Sequence, residues 1–124
     1  MNTNRQWLLS KRPHGMVDEG NFEYAETPIP SPGDGEVLVR NLFLSFDPTQ
    51  RGWMEDRESY LPPVQLGEPM RAGSVGQVVE SNSADFTPGD MVQTTGGWQR
   101  VQRLHDRVLV VSSIRLEVSF VCIL

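Results

Sequence analysis

Apolar positions in this chain come in short runs, and each run is closed by glycine or proline. Runs of β character cover Gln6 to Ser10, Asn21 to Glu26, Glu36 to Phe46, Ser74 to Glu80 and Met91 to Thr95, and no long amphipathic helix is written anywhere. The stretch Val37-Leu38-Val39-Arg40-Asn41-Leu42-Phe43-Leu44 is apolar on both faces for most of its length, which predicts a central strand rather than an edge. Between the runs, Pro28-Ile29-Pro30-Ser31-Pro32-Gly33-Asp34-Gly35 predicts an extended approach and then a reversal, and Thr87-Pro88-Gly89-Asp90 presets a tight turn. The pattern as a whole predicts a mainly β fold, a barrel or a sandwich.

The central strand is stopped by Asp47-Pro48. Proline cannot donate to a ladder but tolerates the first turn of a helix, and an aspartate before it is a good cap, so a short helical turn is expected there. Next, Ser59-Tyr60-Leu61-Pro62-Pro63-Val64 predicts a stiff extended loop that holds Tyr60 away from regular structure. The glycines at 67, 73 and 76 resemble a nucleotide loop only superficially, because they precede an alternating β run instead of following a strand and opening a helix. Bulges or close backbone contacts account for them better.

Composition narrows the function. A chain of 124 residues has room for one ordinary core. The net charge of −5 gives no footprint for nucleic acid. The longest apolar run, Phe120 to Leu124, is far short of the ~20 residues that span a bilayer, so no membrane partner is expected. One cysteine, Cys122, and a polar N-terminus point to a reducing, cytoplasmic setting. With one cysteine and two histidines, His14 and His105, at no recognisable ligand spacing, a metal site is not expected. A Gly-x-Ser-x-Gly elbow is also missing.

The last 25 residues form a different text. All 11 glycines and 9 prolines lie within residues 1–97, and residues 100–124 carry a net +2 against −7 for residues 1–99. Three origins fit this change: a shifted or prematurely ended reading frame, a short protein in its own right, or appended foreign residues. The loss of Gly and Pro together with the charge reversal favours the first. The apolar tail runs Val108 to Val111 and Val118 to Val121 are expected to pair with an open sheet edge or with another chain, which would allow a homo-oligomer.

An ordered set of motifs then carries a resemblance over residues 5–99. Trp7-Leu8-Leu9, Arg12-Pro13-His14-Gly15, Pro32-Gly33-Asp34-Gly35-Glu36-Val37, Phe46-Asp47-Pro48-Thr49-Gln50-Arg51-Gly52, Ser59-Tyr60-Leu61-Pro62-Pro63-Val64, Val78-Val79-Glu80, Pro88-Gly89-Asp90 and Gly97-Trp98-Gln99 resemble the N-terminal region of zinc-independent medium-chain dehydrogenases/reductases. The nearest branch is the curcumin reductase and prostaglandin reductase group. The resemblance implies a GroES-like, partly open β-barrel forming one wall of a cleft, with a Rossmann domain as the other wall. It implies NADPH as cofactor and an α,β-unsaturated ketone or aldehyde as the small-molecule substrate, whose double bond is reduced. Without zinc, the developing oxyanion needs hydrogen-bond donors such as a tyrosine hydroxyl.

By the same resemblance Asp47, Pro48, Thr49, Arg51 and Tyr60 are the substrate-pocket candidates. Thr49 and Gln50 stand where the family has tyrosine and methionine, which implies a roomier or more polar pocket. Arg51 is expected to pair with Asp47 and brace the turn. Where zinc-dependent relatives carry a cysteine and a His-Glu pair, this chain reads Ser45-Phe46-Asp47 and Glu68-Pro69-Met70. No glycine loop after residue 99 can seat a pyrophosphate, so the chain alone is expected to be inactive. The other reading is a non-enzymatic β-domain, a remnant or a binding module.

Overall fold

The computed structural model describes residues 3–105, 110–111 and 120–122. In chain order its elements are β1 (Thr3–Leu9), a turn of 3-10 helix (Glu19–Asn21), β2 (Phe22–Pro28), β3 (Glu36–Ser45), helix α1 (Thr49–Trp53), β4 (Ser74–Ser81), β5 (Met91–Thr94), β6 (Val101–His105), β7 (Val110–Val111) and β8 (Phe120–Cys122). The five expected strands are all present, with ends moved by no more than three residues. The fold is mainly β and lies in two sheets that do not close into one barrel: a β1-β2 hairpin, and a six-stranded sheet in the order β6-β3-β4-β5-β7 with β8 also on β3.

The run that is apolar on both faces is indeed central. β3 pairs antiparallel with β4 on one side and with β6 and β8 on the other. Its register against β4 shifts between Leu38 and Val39 and again between Asn41 and Phe43, and Gly76 sits opposite this irregular stretch. A Cβ on Gly76 would lie 2.6 Å from the Arg40 carbonyl oxygen, so only glycine lets the two backbones approach there. That close contact, not a phosphate, is what the glycine serves.

Two apolar clusters divide the interior. Val37, Val39, Val78, Val92 and Phe86 pack within the large sheet. Leu9, Met54, Val64 and Met70 pack on the other side, with Phe22, Trp53 and Trp98 against them. The free edge of β1 is taken up by loops: Trp7 N–H donates to the Trp98 carbonyl (2.8 Å), Leu9 N–H to Glu68 (2.9 Å), and Met70 N–H to Trp7 (3.1 Å). Loop segments from residues 68–70 and 98–100 thus complete the hairpin and tie it to the sheet.

A polar group sits between the two halves. Asn41 is fully buried, donates 2.8 Å to the Gln99 carbonyl and accepts 2.7 Å from Gln102 Nε2, which also reaches Thr94 Oγ1 at 2.7 Å. The first part of the compositionally distinct tail is in the sheet too: β6 pairs with Glu36–Arg40, and Val101 is fully buried with its N–H on Asn4 Oδ1 (2.9 Å). β7 and β8 add short pairings to β5 and β3. The other tail positions expected to be strand, Val108, Leu109, Val118 and Ser119, lie outside the described residues. Among the described residues no helix is long and apolar enough to cross a membrane.

Candidate functional site

Where β3 ends, the Asp47 carboxylate accepts both the Thr49 N–H and the Thr49 hydroxyl, each at 2.8 Å. The Asp47 carbonyl takes the Gln50 N–H at 3.0 Å. Pro48 follows with helical dihedrals, and α1 runs for one turn and a half. This is the capping role expected of Asp47, and the two bonds from Thr49, the backbone one first, hold its carboxyl below the ordinary carboxylate range. The Thr49 hydroxyl is therefore tied back to its own turn, and Gln50 is buried with its side-chain amide on the Ser45 carbonyl (2.8 Å).

Arg51 does not pair with Asp47. Its Nη1 meets Glu55 Oε1 at 3.2 Å, while Nη2 reaches the carbonyls of Gly15 (3.1 Å) and Pro13 (3.4 Å). Spacing does not decide between them, since Asp47 and Glu55 each lie four positions from Arg51; the Asp47 carboxylate is instead taken up by the Thr49 N–H and hydroxyl. Arg12 reciprocates from the other side and donates 2.8 Å to the Met54 carbonyl. The Arg12–Gly15 loop and α1 are thus cross-braced by two guanidinium groups.

The Tyr60 ring meets Trp53, the last residue of α1, edge to face at 6.3 Å, which sets the Tyr60 loop against the C-terminal end of the helix. Tyr60 is 71% exposed, and its hydroxyl has no partner among the described residues. Trp53 in turn lies under the Arg71 guanidinium, 5.4 Å from ring centroid to Cζ. Of the five candidates, Asp47, Pro48 and Thr49 form one exposed corner at the start of α1, Arg51 lies partly buried as its brace, and Tyr60 is exposed against Trp53 at the other end of the helix.

A further hollow lies elsewhere. A groove of about 860 Å³ between the hairpin and the sheet is lined by Trp7, Phe22, Tyr24, Leu44, Phe46 and Trp98, with Arg5 and Arg100 at its rim. Phe46, 58% exposed, is the residue before Asp47 and packs on Trp98 at 5.8 Å, so the groove adjoins the corner without containing it or Tyr60. Nothing in the periodicity announced this groove, because its rings come from four separate segments. The clue available was Trp98, a large ring directly after two glycines. At the rim, the Tyr24 hydroxyl donates 2.6 Å to Glu26, which raises the Tyr24 phenol and lowers the Glu26 carboxyl relative to their ordinary values.

Among the described residues no group of three or more His, Cys, Asp and Glu side chains could hold a metal. Nor do they fit a dinucleotide: α1 has five residues, and Gly73 and Gly76 face Ser45 Oγ and the Arg40 carbonyl rather than open space.

Two sheets and a short helix, with a capped corner and a tethered tyrosine loop, are the parts of a β-domain of the medium-chain oxidoreductase type. The chain belongs to the family of N-terminal domains of oxidoreductases, which matches residues 5–111. It is 48% identical over 96 residues to the NADPH-dependent curcumin reductase of Escherichia coli (strain K12), covering 77% of this chain and 28% of that protein. It is 35% identical over 94 residues to prostaglandin reductase 1 of Mus musculus, covering 76% and 26%. CurA from Vibrio vulnificus superposes with a TM-score of 0.85 at 40% identity, over 90% of this chain and 32% of that one. In complex with NADPH, CurA superposes at 0.77 with 42% identity, over 82% and 30%. The chain spans about three-tenths of the length of the curated relatives it matches.

Proposed function

We propose that this chain is the substrate-side domain of an NADPH-dependent oxidoreductase that reduces the carbon–carbon double bond of α,β-unsaturated ketones or aldehydes. The observation that carries the reading is the 48% identity to an NADPH-dependent curcumin reductase, supported by the prostaglandin reductase likeness. In this reading Tyr60 donates its hydroxyl hydrogen bond to the substrate carbonyl, where charge develops during reduction. Asp47, Pro48 and Thr49 form the rigid corner beside it, and Arg51 holds that corner against the Arg12–Gly15 loop. NADPH supplies hydride when bound, and the described residues offer no glycine turn opening a helix to seat its phosphates.

The test is a chimaera in which residues 5–105 replace the matching region of the E. coli curcumin reductase. NADPH oxidation is followed with an enone present. The expected result is turnover by the chimaera and none by the 124-residue chain alone. A folded chimaera that binds NADPH but reduces no enone overturns the substrate assignment, and turnover by the isolated chain overturns the need for a second domain.

A further inference from the structure

The loop that carries Tyr60 has few means of holding itself in place. Pro62 and Pro63 have no N–H to give, and no regular element covers residues 54–73. From Glu58 to Pro63, among the described residues, one hydrogen bond reaches out of the loop's immediate neighbourhood: Arg71 Nη1 donates 2.8 Å to the Pro62 carbonyl. The same guanidinium lies over the Trp53 ring at 5.4 Å, and that ring receives the edge of Tyr60 at 6.3 Å. The loop rejoins the body at Val64, whose N–H donates 2.9 Å to the Trp53 carbonyl.

We infer that Arg71 is a positioning residue for Tyr60. Its planar fork is suited to doing two things at once, stacking on an indole and donating in its own plane to a carbonyl. By holding Trp53 with its face and Pro62 with its edge, it fixes the platform and the loop between which the Tyr60 ring is set. The side chain itself touches no reacting group. The inference rests on the proposal that Tyr60 contacts the substrate, and it adds the residue that keeps the phenol from swinging away.

The experiment uses the 124-residue chain, isotope-labelled, with benzylideneacetone as the enone probe. In the wild-type chain the probe is expected to shift the Tyr60 ring and Trp53 indole resonances, and the two rings to show a mutual nuclear Overhauser effect. Arg71→Met, which keeps the apolar stem, is expected to abolish that effect and to weaken probe binding about tenfold, the size of one lost bond from a charged donor, while the amide resonances of β3 and β4 stay in place. Arg71→Lys keeps the cation without the fork and is expected to restore part of both signals. It also carries the test if Arg71→Met does not fold. Unchanged ring contact and affinity in both variants overturn the role of Arg71. No shift at Tyr60 in the wild-type chain overturns the substrate reading instead, and loss of the Tyr60–Trp53 contact in Arg71→Met then still supports Arg71 as the anchor of the loop.

Discussion

The six-stranded sheet and the corner that follows β3 are held together by different bonds. In the sheet, every second side chain of β3 near its start is a buried valine, and the ladders to β4 and β6 absorb the backbone N–H and C=O groups. In the corner, three arginines do the joining: Arg12 to the Met54 carbonyl, Arg51 to Gly15 and Pro13, and Arg71 to Pro62. A proline-rich stretch offers carbonyls but few N–H groups, so its donors must be imported. Arginine brings five donors on one rigid plane. The comparison teaches that a loop which cannot join a sheet can still be fixed, provided the bonds come from side chains with long reach.

Behind the corner lies the cluster of Leu9, Met54, Val64 and Met70, and attacking it should produce the largest effect. Met70 is fully buried there, and its backbone also closes the edge of β1. Met70→Ala is expected to cost about 2–5 kcal/mol in urea unfolding, with corner and sheet melting together. Separate transitions would show that this cluster and the valine cluster of the sheet unfold independently.

A smaller and local effect is expected from Arg51→Met. It should cost about 1 kcal/mol, because the guanidinium is partly exposed and its three partners are the Gly15 and Pro13 carbonyls and the partly exposed Glu55 carboxylate. Native-state hydrogen exchange should quicken at Gln50 and Met54 and leave the β3–β4 amides alone. Equal quickening in both would mean that the corner is part of the sheet's cooperative unit.

The smallest effect concerns pH. The folded Asp47 carboxyl titrates below its unfolded counterpart, so its capping contribution is complete above the ordinary aspartate value and is lost as pH falls through the lower, folded one. The Thr49 amide resonance should report this step, and Asp47→Ala should remove it without disturbing β4. A Thr49 signal that ignores acid would show that the cap is held by the backbone alone.

Much of the sheet was legible from the chain, because alternation and punctuation are local properties. A strand with valine at 37 and 39 must bury one face, and Gly89 after Pro88 must turn, whatever lies around them; Gly89 does so at φ +101°. The Asp47 cap is equally local and was anticipated. The partner of Arg51 is not legible: Asp47 and Glu55 are equally near in sequence, and only the structure shows that Thr49 takes the Asp47 carboxylate and leaves Glu55 to the guanidinium. The Phe22–Trp98–Phe46 contact, at 5.0 and 5.8 Å, joins residues separated by up to 76 positions, and no periodicity encodes such a meeting.

The strands, their central member, the capped turn and the oxidoreductase lineage are all written in neighbouring residues or in the order of short motifs. Which side chains meet is settled only by the folded chain: the arginine-to-carbonyl braces, the aromatic groove and the setting of Tyr60 on Trp53. Propensity and alternation act over a few residues, while a long side chain chooses its partner only after packing has brought distant backbone within its reach.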